Sequence, residues 1–102
     1  MKKSEDCQSI QEIREIIDEI DCEILSSLGR RNEYVKAIVK FKSDKDEIIA
    51  AERQLEVLQK RKEWAREFCL NPDLIEKIYK TLINWNIQQE MEIFRSKEKA
   101  NI

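Results

Sequence analysis

The chain has 102 residues, 41% of them hydrophobic and 39% charged, with nineteen basic and twenty-one acidic side chains and a net charge of -2. That much apolar content excludes a disordered segment, and charge spread along the chain without a basic stripe gives no reason to expect nucleic acid or an anionic membrane as a partner. One glycine and one proline leave almost none of the chemistry that β-hairpins need, so the chain reads as a single all-α domain over residues 1–102.

Ser9, with Glu12 three residues on, has the spacing of a capping box. It opens a run of apolar residues in steps of three and four: Ile10, Ile13, Ile17, Ile20, Ile24, Leu28, Val35 and Ile38. The pattern predicts a helix over residues 9–42, roughly 50 Å of rod at 1.5 Å per residue. A chain this short has little else to cover so long a stripe, and pairing with a second copy is expected to relieve that. Residues 42–47 are polar and charge-rich without apolar period, and read as a connector free to move in the manner of a lid. A second helix follows over 49–68, with Leu55, Leu58, Ala65 and Phe68 on its apolar face and Lys60, Arg61, Lys62 and Glu63 mostly on the other. Asn71-Pro72 then opens a third helix over 72–97, asparagine at the cap and proline at the first helical position, with acidic Asp73 in the first turn. Its apolar side carries Ile75, Ile78, Leu82, Trp85 and Ile93.

The period breaks in two places. Continuing the first seam from Ile24 and Leu28 lands on Arg31, then Val35 and Ile38, then Lys42, so two cations occupy positions assigned to the buried face. Either their stems pack while the charged heads reach solvent, or they grip a small dianion from two ends. On one continuous helix they would stand about 20° apart in phase and on the order of 16 Å apart along the axis. In the third helix Asn86 and Glu90, four apart, interrupt the face that Leu82 and Ile93 define, and read either as part of a solvated run or as the polar wall of the same pocket. Arg14 and Arg53 are weaker candidates. Arg14 lies roughly 25 Å before Arg31 along the rod, so one small ligand meets both only if the former comes from an antiparallel partner chain.

Histidine is absent, which removes the usual general base and the commonest metal ligand, and neither a metal nor a cofactor is expected. Cys7, Cys22 and Cys69 are odd in number with no Cys-x-x-Cys pair, which fits free thiols in the cytoplasm. Lys2-Lys3 runs into Ser4-Glu5-Asp6 rather than an apolar stretch, so no secretion signal is read, and no segment is long enough to span a bilayer.

Arg14, then Arg31 within Leu28-Gly29-Arg30-Arg31, then Tyr34-Val35-Lys36 and Phe41-Lys42 resemble the first helix of the all-helical chorismate mutase family. The likeness is greatest to its isochorismate pyruvate lyase branch, which forms salicylate in siderophore pathways. Glu5-Asp6-Cys7, Ile13-Arg14-Glu15, Glu52-Arg53, Trp64-Ala65 and the Trp85 region also sit where that branch has similar residues, so the resemblance runs nearly end to end.

The resemblance implies an intertwined homodimer with two equivalent pockets, each completed by an arginine from the other chain. Arg14 would be that arginine, on one substrate carboxylate. Arg31 would hold the pyruvyl carboxylate, and Lys42 would reach the carboxylate and the ether oxygen. Arg53 would add positive charge, and Asn86 would form wall. Position 90 departs from the pattern: the lyases carry glutamine there, whereas this chain has Glu90, as some fungal chorismate mutases do. A carboxyl group donates a hydrogen bond only when protonated, so Glu90 needs a raised pKa to replace that glutamine. The implied reactions, pyruvate elimination from isochorismate or rearrangement of chorismate to prephenate, are pericyclic and need no general base. A helical dimer without catalytic activity is the remaining alternative.

Overall fold

The computed structural model describes residues 2–100. Every regular element among them is helical: α1 Ile10–Ala37, α2 Lys45–Ile49, α3 Ala51–Glu67 and α4 Pro72–Ala100, with 3-10 turns at Ser4–Asp6 and Ile38–Phe41. Three long helices occupy the three regions that the periodicity marks out, with different boundaries. No described helix is long and apolar enough to cross a membrane. The chain divides into two compact units, one ending at Tyr34 and the other beginning at Val35.

In the first unit α1 starts on the expected cap. Ser9 Oγ accepts the Glu12 N–H at 3.1 Å, a first-turn donor without an intrahelical partner, and the Glu12 carboxylate reaches back to accept the Gln8 N–H, just ahead of the cap, at 3.0 Å. Lys2 Nζ adds an ion pair to Glu12 at 2.6 Å. No residue of α1 is buried. The isoleucines at 10, 13, 17, 20 and 24 remain 39–68% exposed.

The second unit contains the buried core. α3 packs along α4, and α2 and the Ile38–Phe41 turn rest on α4 as well. Val39, Ile48, Val57 and Ala65 are its fully buried apolar residues, at 1%, 2%, 8% and 3% exposure. Asn71 caps α4 as expected, its Oδ1 accepting the N–H groups of Asp73 at 2.8 Å and Leu74 at 3.2 Å. α3 closes with Cys69 in the left-handed region, φ 58°, and the Leu70 N–H donating to the Ala65 carbonyl at 2.8 Å. Glycine is usual at such a position, and a side chain there costs about 1 kcal/mol.

Four sequence expectations need correction. The α-helix ends at Ala37 instead of residue 42; a 3-10 turn follows, and Lys42 itself is extended, with φ -96° and ψ 130°. The phase and rise computed for a continuous rod between Arg31 and Lys42 therefore do not apply. The 42–47 stretch is not an unanchored connector: Asp44 caps α2, and Ile48, just beyond the polar run, buries itself. The second long helix begins at Ala51, because Ala50 in the left-handed region, φ 43°, separates α2 from α3. The face of α3 is also rotated from the one expected. Ala65 is buried and Leu58 half-buried as the period predicts, but Leu55 and Phe68 are 70% and 73% exposed, and Val57, outside the predicted set, is buried.

Long charged side chains take part in the α3–α4 contact. Arg61 places its guanidinium over both the Trp64 ring and the Tyr79 ring, 4.8 and 5.5 Å from their centroids. Lys62 pairs with Glu76 across the α3–α4 interface at 2.7 Å. Both side chains are half-buried, whereas Leu55 and Phe68, which a simple polarity pattern selects, stay exposed.

Candidate active site

The only two residues of α4 that are buried are polar: Asn86 at 5% exposure and Glu90 at 6%, one helical turn apart. A buried amide and a buried carboxyl each cost free energy unless something compensates them, so their place at the centre of the face is the most informative feature of the second unit. Glu90 faces Lys42, whose Nζ stands 4.0 Å from Oε1, with the two side chains 8% and 17% exposed. Loss of solvent pushes the Glu90 carboxyl above the ordinary carboxylate range, and the Lys42 charge opposes that rise without cancelling it. A buried acid with a raised pKa thus lies beside a half-buried cation.

Lys42 is fixed at both ends. Its backbone N–H donates to the Val39 carbonyl at 3.0 Å, which closes the 3-10 turn, and its ammonium donates to the Glu47 carbonyl of α2 at 2.6 Å. α2 is itself closed by a second capping box: the Glu47 N–H donates to Asp44 Oδ1 at 2.8 Å, and the Ser43 N–H donates to Glu47 Oε2 at 2.7 Å. At the far end the Gln54 amide donates to the Ile49 carbonyl at 2.6 Å. The charge-rich stretch is therefore a short braced helix whose last turn presents a backbone carbonyl to the lysine. The Asp44–Glu47 spacing, the same as Ser9–Glu12, was the sequence signal for it; that its carbonyl faces Lys42 has no signature in sequence.

The remaining candidates are distributed as follows. Arg14 and Arg31 belong to the first unit, Arg14 exposed and Arg31 half-buried. Arg53 lies in the first turn of α3, where it meets Glu56 at 3.6 Å with most of its side chain in solvent, a surface pair that contributes little. Within the second unit the structure thus joins Lys42 to Glu90, places Asn86 one turn before Glu90 on the same buried face, and leaves Arg53 in a separate surface pair.

Chemically, such a site offers a fixed cation and a donor-capable acid in partly dehydrated surroundings, suited to stabilising an oxygen that gains negative charge. Comparison with known proteins agrees in kind. The chorismate mutase type II family profile matches residues 13–91. The isochorismate pyruvate lyase of Pseudomonas aeruginosa is 39% identical over 100 residues, which cover 98% of this chain and 99% of that protein.

Proposed function

Because the chain belongs to the chorismate mutase type II family, we propose that it is an isochorismate pyruvate lyase, an enzyme that converts isochorismate to salicylate and pyruvate. The observation that carries this reading is the 39% identity to a relative bearing that name, across nearly the whole of both chains. In the reaction the ring carbon–oxygen bond to the enolpyruvyl group breaks as a ring hydrogen moves to that group's methylene carbon, and the ring becomes aromatic. Atoms balance between substrate and the two products, and no acid or base has to be consumed.

The protein's part is to hold a flexible dianion in its compact conformer and to place positive charge where the breaking bond leaves electrons on oxygen. Lys42 supplies that charge. Glu90, whose pKa burial raises, donates to the same oxygen when protonated, and Asn86 forms the adjoining wall. Arg31 takes the pyruvyl carboxylate, and Arg53 adds more distant positive charge. Arg14 of the partner subunit takes the second carboxylate. Pairing of two copies is part of the proposal, supported by the exposed isoleucine stripe of α1, which a second copy would cover. So is a cytoplasmic setting, supported by the free thiols of Cys7, Cys22 and Cys69.

A second reading, chorismate mutase, is favoured by Glu90 and by the family's own activity. Incubation of the purified protein with isochorismate and with chorismate, followed by detection of salicylate and prephenate, tests both. Salicylate from isochorismate at the higher kcat/KM is expected. Prephenate alone would replace the first reading with the second, and turnover of neither substrate would reduce the protein to a helical dimer.

A further inference from the structure

A lysine that acts by charge must have its ammonium in one place before substrate arrives, since each ångström of misplacement weakens catalysis steeply. Lys42 has four methylene groups between backbone and charge, and the Glu90 carboxyl at 4.0 Å is too distant for a firm hydrogen bond. The short contact is instead to the Glu47 carbonyl at 2.6 Å. That carbonyl belongs to α2, a helix of five residues, too short to hold together by its own hydrogen bonds. Its integrity comes from elsewhere. Ile48 buries its side chain, Gln54 ties the C-terminal end, and at the N-terminal end Asp44 accepts the Glu47 N–H at 2.8 Å. The same residue whose N–H is tied by Asp44 is thus the one whose C=O holds the lysine.

We propose that Asp44 is a positioning residue for Lys42: by capping α2 it fixes the Glu47 carbonyl that keeps the ammonium beside Glu90. Asp44 has no need to touch the substrate. Its effect passes through one residue, Glu47, and it depends on the hydrogen-bond acceptor rather than on the negative charge. Asparagine, which caps helices as well as aspartate does, therefore serves in its place, whereas alanine does not.

The positioning role at the active site rests on the proposed lyase reading, but the structural link can be measured without turnover. Reductive methylation of the intact protein, followed by peptide mass spectrometry, reads the reactivity of Lys42 against that of Lys62, which Glu76 holds in the α3–α4 pair. In Asp44→Ala, Lys42 is expected to react several-fold faster while Lys62 is unchanged, and Asp44→Asn restores the slow rate. With isochorismate, Asp44→Ala lowers kcat by roughly tenfold with a smaller change in KM, and Asn again restores it. Unchanged Lys42 reactivity in the alanine variant overturns the proposal, as does equal loss of protection at Lys62 or an asparagine variant no better than alanine. If the unmodified protein turns over neither isochorismate nor chorismate, the lyase reading fails separately, and the methylation result still decides whether Asp44 holds Lys42.

Discussion

α1 and α4 are nearly equal in length, 28 and 29 residues, and both carry apolar residues at helical spacing, yet they dispose of them in opposite ways. α1 has no buried residue and holds five of its isoleucines largely in solvent, whereas the buried positions of α4 are an amide and a carboxyl. An exposed apolar stripe calls for a cover, and a buried polar pair calls for a compensating partner. One helix therefore offers a face that another chain could cover, and the other sets a carboxyl beside the Lys42 ammonium.

The largest expected effect tests the cover. Ile17→Asp removes an isoleucine that each copy would bury, at about 2 kcal/mol per copy and ~4 kcal/mol per pair, so dimer affinity should fall by about 10³-fold. Sedimentation equilibrium checks this; a wild-type chain that is monomeric at micromolar concentration would break the comparison at once. Next comes the cation. Lys42→Ala should lower kcat/KM for isochorismate by about 10²–10³-fold, the range for loss of one oxyanion-type donor, and a fully active variant would remove Lys42 from the mechanism.

The buried acid gives a smaller, pH-dependent effect. The folded-state pKa of Glu90 lies above the ordinary 4.5 because burial disfavours its charge. Its contribution to stability is therefore present below that value and is lost as pH rises through the folded pKa. Glu90→Gln should raise the Tm at pH 7 and leave it unchanged near pH 4. In activity, the wild type should favour mildly acidic pH and the glutamine variant should extend the plateau upward; identical pH–rate curves would show that no proton on Glu90 is needed. The smallest effect lies away from the site. Glu76, hydrogen-bonded by Lys62 and Lys80, has its carboxyl lowered to about 2. That stabilisation is present above the unfolded value near 4.5 and disappears as pH falls towards 2. Glu76→Gln should lower the Tm only slightly at pH 7 in a thermal melt, because solvent screens the pair, with the difference vanishing near pH 2.

Much of the site was legible in sequence because a helix repeats every 3.6 residues, and a polar residue on an apolar stripe betrays itself. Asn86 and Glu90 emerged in that way and are indeed buried. Lys42 was found by extending the same period across a stretch that is not α-helical, so its inward placement follows from the 3-10 turn and the α2 carbonyl rather than from phase. Leu55 and Phe68 were assigned to the packed face of α3 because polarity was read as exposure, and Arg61 and Lys62 defeat that rule by packing their stems. Asp44 escaped notice because a charge-rich stretch reads as a connector unless its capping spacing is taken seriously.

By itself, then, the amino-acid sequence determined the all-helical architecture, the Ser9 and Asn71 caps and the polar interruption of α4, since each depends only on neighbours within a turn or two along the chain. Tertiary structure alone decided which face of α3 meets α4 and that Ile48 pins the five-residue helix whose carbonyl meets the lysine. Those outcomes depend on atoms distant in sequence competing for the same space and the same hydrogen bonds, and no local pattern encodes that competition.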